Sequence, residues 1–135
     1  MTDIPQYLGN QYILEFYNCD VNMLDDTSQL EKVMHQAALE AGATVVKQFF
    51  HKFTPQGVSG TIVLAESHLN IHTWPEYGFA AIDIFTCGEN LYPEKSMAYL
   101  KSQLKSKHEV LHSLKRGQDI RAHLAAHDQP AKSDA

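Results

Sequence analysis

Residues 57–88 read GVSGTIVLAESHLNIHTWPEYGFAAIDIFTCG. Residues 61–65 (TIVLA) form a nearly continuous apolar run, the pattern of a buried strand. Residues 68–73 (HLNIHT) form a second extended piece. Trp74-Pro75-Glu76-Tyr77-Gly78 ends it, because proline lacks an N–H and restricts the residue before it. Residues 79–86 (FAAIDIFT) form a third strand that delivers Cys87 to a turn at Gly88. Consecutive antiparallel strands bring their ends together. Ser67, His72 and Cys87 are therefore expected to share one site, with a hydroxyl, an imidazole and a thiol in reach of one another.

On the N-terminal side, residues 11–19 (QYILEFYNC) are aromatic and β-branched, which predicts a strand. A helix follows, with Ser28 and Glu31 at capping-box spacing. Leu30, Val33, Met34, Ala37, Ala38 and Ala41 make one apolar stripe, and Gly42 is the expected stop. Residues 44–53 return to extended structure, and 54–57 (TPQG) make a turn. On the C-terminal side, Pro93 opens a second helix with Met97, Leu100 and Leu104 facing inward. Residues 108–114 predict a last strand and 121–126 a short helix. Disorder is expected after Asp128. Few helices among runs of strands imply an α+β two-layer sandwich, an antiparallel sheet with two main helices on one face. Strand 61–65 is apolar on both faces. The uncovered face is therefore expected to be covered by a second copy, giving a homodimer through the sheet side.

Composition narrows the function classes. A chain of 135 residues suits one domain, placed at 1–117 with a polar tail at 118–135. Hydrophobic residues make up 44% and charged residues 20%, ordinary globular values. A net charge of −5 argues against nucleic acid as partner. Two cysteines give no disulfide framework, and no apolar run approaches a membrane span. The first ten residues lack signal-peptide features, so a cytoplasmic location is expected.

Taken singly, each reactive residue has an ordinary reading. Serine at a strand end is commonly a turn residue, and no G-x-S-x-G elbow surrounds Ser67. His68 and His72 with Cys87 offer metal-ligand chemistry, but four residues along a strand separate side chains by about 13 Å. No metal is expected. Cys19 reads as a small core residue.

Three segments together carry more. Residues 50–60 (FHKFTPQGVSG), 65–78 (AESHLNIHTWPEYG) and 81–88 (AIDIFTCG) closely resemble the short prokaryotic S-adenosylmethionine decarboxylase proenzymes. The likeness is dense from Phe50 to Gly88 and weaker in the first strand and helix.

The resemblance implies that the chain cuts itself between Glu66 and Ser67, leaving residues 1–66 and 67–135. The Ser67 hydroxyl attacks the Glu66 carbonyl to form an ester, Ser59 assists processing, and His72 removes the Ser67 Cα proton. Elimination then leaves a covalent pyruvoyl group as cofactor, which takes up the S-adenosylmethionine amine as a Schiff base. Cys87 is the implied proton donor after carbon dioxide leaves, a role that a protonated thiol suits. Phe53 is the candidate for stacking on adenine and Glu76 for the ribose hydroxyls. The product would supply aminopropyl groups for spermidine and other polyamines. A pyruvoyl-dependent arginine or ornithine decarboxylase of the same fold, and an uncleaved binding domain, remain alternatives.

Overall fold

The structure, a computed structural model, describes residues 4–87 and 90–127. The turn expected at Gly88 and the tail after Asp128 lie outside them. Six strands form one sheet: β1 (Gly9–Tyr17), β2 (Val45–Lys52), β3 (Val58–Leu64), β4 (Ser67–Trp74), β5 (Phe79–Thr86) and β6 (His108–Arg116). Their order is β2-β3-β4-β5-β1-β6, and every neighbouring pair is antiparallel. The helices are α1 (Val21–Leu24), α2 (Thr27–Glu40), α3 (Pro93–Leu104) and α4 (Ile120–His127). The α+β class and the antiparallel sheet are as the sequence indicates.

Alternation along each strand sorts the two faces. Leu14 and Phe16 of β1, Leu69 and Ile71 of β4, and Ile82 and Ile84 of β5 point to one side and are buried. Leu30, Met34 and Ala37 of α2 join Leu100 and Leu104 of α3 in the same core, and Met97 packs at its edge. Phe50 also leans into this face. A Cβ at Gly60, its cross-strand partner, would come 2.0 Å from the Phe50 ring, so a side chain there would have to displace the ring. The opposite face carries His68, Asn70, His72 and Trp74 of β4, Asp83 and Phe85 of β5, and Val63 of β3. The β4 and β5 members are half-buried, and Val63 is 44% exposed.

One expected cap is displaced. α2 begins at Thr27, and Asp26 is its N-cap, accepting the Gln29 N–H at 3.0 Å. Ser28 already lies inside the helix, and Glu31 instead accepts from Gln48 of β2 at 2.9 Å. A carboxylate one residue before the helix caps the free Gln29 amide, which lies ahead of any amide that Ser28 could reach. The brief helix α1, capped by Asp20, has no counterpart in the sequence reading.

The β2–β3 turn is tied to this helical corner. Asp25 Oδ1 accepts the Gly57 N–H at 2.8 Å and faces Lys52 Nζ at 3.1 Å. Gly57 sits at φ +104°, a conformation that favours glycine. The Gly57 N–H, with Lys52, lowers the Asp25 pKa below its ordinary 3.8. A carboxyl whose folded pKa is depressed stabilises the fold above its unfolded pKa and loses that effect as pH falls through the folded value. Asp25→Asn is therefore expected to lower the melting temperature at neutral pH. The difference from the parent should shrink towards zero below pH 3.8. Melting curves by circular dichroism at several pH values check this, and a pH-independent difference would exclude the charge as its source.

Candidate active site

β3 and β4 are joined by a two-residue turn, Ala65-Glu66, with Leu64 paired to Ser67. The turn is held from both sides. The Thr44 carbonyl accepts the Ala65 N–H at 2.9 Å, and the Thr44 N–H donates to Glu66 Oε1 at 3.0 Å. The Glu66 carbonyl oxygen accepts two further donors, the Cys87 N–H at 3.3 Å and the Cys87 Sγ–H at 2.8 Å. Two donors on one carbonyl oxygen polarise it and stabilise negative charge developing there. The next residue, Ser67, carries a hydroxyl, a group that can serve as a nucleophile toward a carbonyl. Ser67 itself has φ +152°, a region that costs a non-glycine residue about 1–3 kcal/mol. Its Oγ lies 3.3 Å from His68 Nδ1.

His72 is elsewhere. Ser59 pairs with His72 across β3 and β4, and Ser59 Oγ lies 2.5 Å from His72 Nδ1. The imidazole is flanked by Phe53, with ring centroids 5.6 Å apart, and by Trp74 at 4.3 Å, edge-on. Glu76 is exposed on the short 3-10 turn Pro75–Tyr77 that follows β4. Five residues of extended strand separate Ser67 from His72, about 16 Å at the usual rise. Within one chain, then, Glu66, Ser67 and Cys87 form one constellation, and Ser59, His72 and Phe53 form another. The expectation that Ser67, His72 and Cys87 share a site inside a single chain does not hold. Antiparallel pairing puts the end of β5 beside the start of β4, which unites Cys87 with Ser67 and leaves His72 near the opposite end of β4.

A cavity of about 330 Å³ opens beside Cys87, lined by Tyr7, Leu8, Gly9, Asn10 and Thr86 among others. A larger one, about 510 Å³, lies beyond Gln6 and Tyr7 against Lys115 and Arg121, away from both constellations. The smaller cavity is the one at the chemistry. Sequence reasoning considered the segment before β1 only as a leader and so missed it. No local pattern in the sequence marks it, because it depends on the register that sets Asn10 opposite Thr86.

His68 and His72 share the half-buried face, as their spacing requires. Among the described residues, no three His, Cys, Asp or Glu side chains gather to hold a metal. Cys19 is a buried core residue just beyond β1, and burial pushes its thiol up to about 11.

Comparison with known proteins places this geometry in context. The family model described as S-adenosylmethionine decarboxylase matches residues 10–117. A Thermotoga maritima protein named S-adenosylmethionine decarboxylase proenzyme is 53% identical over 115 residues, spanning 84% of this chain and 88% of the relative. A protein of the same name from Acetivibrio thermocellus is 51% identical over 110 residues, 82% and 89% of the two chains. The crystal structure of the adenosylmethionine decarboxylase from Aquifex aeolicus superposes with a TM-score of 0.77 at 30% identity, covering 84% of this chain and 93% of that one.

The two thiols differ enough to be told apart chemically. Cys87 is exposed, whereas Cys19 is buried with its pKa raised to about 11. Thiolate is the reactive form. Iodoacetamide at pH 8 on the native protein is expected to alkylate Cys87 and spare Cys19. Peptide mass mapping reads the result, and equal labelling of both would contradict the burial described.

Proposed function

The chain belongs to the S-adenosylmethionine decarboxylase family, and we propose on that premise that it matures by self-cleavage at Glu66–Ser67 and then decarboxylates S-adenosylmethionine. The observation that carries this reading is the pair of Cys87 donors on the Glu66 carbonyl, directly before the Ser67 hydroxyl. The Ser67 oxygen attacks the Glu66 carbon, the charge that develops on the carbonyl oxygen is met by Cys87, and the amide becomes an ester. Relief of the unfavourable Ser67 backbone assists the change. A base then removes the Ser67 Cα proton, the Glu66 carboxylate departs, and hydrolysis of the resulting dehydroalanine releases ammonia. The product is a single domain of two chains, 1–66 and 67–135, with a pyruvoyl group on the second.

The donor set fits the making of such a group, since nucleophile, oxyanion donors and a pinned carbonyl are all present at one turn. The pyruvoyl group supplies a carbonyl that takes up the substrate amine and accepts the electrons released as carbon dioxide leaves. Cys87 then has a second role. Once the Glu66 carboxylate has left, its thiol is free to give a proton to the substrate carbon. Phe53 contributes an aromatic face to adenine and Glu76 a carboxylate to the ribose hydroxyls. The relatives described above are named for the adenosyl substrate, which favours it over arginine or ornithine.

We assign the base role to His72, and its distance from Ser67 along β4 supports its coming from a second copy. Ser59 fixes the ring through Nδ1 and leaves Nε2 free to accept the proton. Two copies packed through their half-buried sheet faces, antiparallel to each other, would lay the His72 end of one over the Ser67 end of the other. Two-fold symmetry makes the contact reciprocal, so one dimer holds two complete sites. The exposed Val63 and the half-buried Phe85 supply apolar surface for it.

Differently tagged Ser67→Ala and His72→Ala chains, co-expressed, test this arrangement. Neither homodimer is expected to yield a pyruvoyl end. In the mixed dimer the His72→Ala chain should be converted, because its Ser67 meets an intact His72 from the other copy. Intact mass of the separated chains reads the outcome, and no conversion in mixed dimers would exclude a shared site.

Cys87→Ala separates the two roles of that residue. Its backbone N–H still reaches Glu66, so cleavage into two chains should persist at a reduced rate. Decarboxylation should fall roughly 10²–10⁴-fold with the loss of the general acid. Release of carbon dioxide from adenosylmethionine, arginine and ornithine, measured side by side, tests substrate and donor together. Undiminished turnover would remove the donor role.

A further inference from the structure

The second imidazole of the turn has no part in the scheme above, yet it touches the reacting oxygen. His68 Nδ1 is 3.3 Å from Ser67 Oγ, and His68 Nε2 faces Asp83 Oδ2 at 3.6 Å. Asp83 is itself held by amide donors from Gln11 at 3.4 Å and Asn70 at 3.3 Å, both to the same oxygen. The chain thus places hydroxyl, imidazole and carboxylate in succession beside the scissile bond, with the Cys87 donors on the Glu66 carbonyl oxygen. Resting on the self-cleavage reading, we propose that His68 is the general base for the first step, the shift of the Glu66 acyl group from nitrogen to oxygen, and that Asp83 is its positioning residue.

The tautomer follows from the surroundings. A carboxylate beside Nε2 favours the proton there, which leaves the Nδ1 lone pair towards Ser67. The ring is steadied by Phe85, with centroids 5.4 Å apart. Other charged groups around it are Arg116 of β6, whose guanidinium lies over the Phe85 ring, and Lys47 of β2, beyond Val63. As the Ser67 oxygen bonds to the Glu66 carbon, its proton passes to Nδ1. As the Glu66–Ser67 C–N bond breaks, the same proton passes to the departing nitrogen, which becomes the free amine of Ser67. No water, oxidant or other reactant enters, and the imidazole ends as it began. The division of labour is clear: His68 drives ester formation from within the protomer, and His72 drives elimination from the other copy.

The two steps separate in a His72→Ala background, where the ester accumulates and hydroxylamine splits it. At saturating hydroxylamine the cleavage rate reports ester formation alone. His68→Gln in that background is expected to slow cleavage roughly 10²-fold or more, the usual loss for a general base. It should also flatten the rise in rate with pH that the imidazole confers. Asp83→Asn should cause a smaller loss, and Asp83→Glu, which keeps the carboxylate, should recover part of it. A packing role for His68 would slow the reaction without moving the pH profile. Circular dichroism confirms folding, and if His68→Gln does not fold, His68→Asn is read in its place. A rate for the His68 variant within threefold of the parent, or a slower rate with an unchanged profile, would overturn the proposal. Failure of hydroxylamine to split His72→Ala itself would instead sink the self-cleavage reading, and this proposal with it.

Discussion

An extended strand advances about 3.3 Å per residue and cannot bring its own ends together. Everything about the site follows from that constraint acting on β4. Ser67 opens the strand and His72 sits five residues on, so no side-chain rotation unites them. What pairing can do is set neighbouring strands side by side. The register Ser67 to Thr86 places Cys87 at the Glu66 carbonyl, and the register Ser59 to His72 places a hydroxyl on the imidazole. Two separate groupings result, each assembled by ladder hydrogen bonds.

The pleat distributes stability and chemistry between opposite faces. The helix-covered face is apolar, and its buried leucines and isoleucines each contribute about 1.5–3 kcal/mol by leaving water. The other face mixes Phe85 and Trp74 with His68, Asn70, His72 and Asp83. Its polar groups are largely engaged with one another, although Asn70 Oδ1 is buried without a partner. A purely apolar face would make a stronger dimer contact but would leave nothing to position a base or an oxyanion donor. The proposed dimer places this chemistry between two sheets, where water is scarce and each hydrogen bond counts for more.

The turn between β3 and β4 reverses the usual relation between stability and function. Glu66 is pinned through its side chain and carbonyl, and Ser67 is held in an unfavourable backbone region. Surrounding structure that is firm enough to hold such a residue keeps strain beside the Glu66–Ser67 bond. In the proposed self-cleavage Ser67 would act at high effective concentration, since it is covalently next to its target.

Much was legible in the sequence because it depends on local pattern. Period-two alternation marked the strands, the apolar stripe at 30–41 marked α2, and Pro75 and Gly78 marked the break after β4. Residue identity around Glu66-Ser67, His72 and Cys87 was enough to indicate the family. The α2 cap went to Asp26 instead of Ser28 because the helix start is a matter of backbone geometry, which spacing alone leaves ambiguous. Register was beyond reach for the same reason: it is set by non-local hydrogen bonds between strands. Only the tertiary structure could decide that Cys87 meets the carbonyl before Ser67, while His72 neighbours Ser59 and Phe53 about 16 Å away along an extended strand.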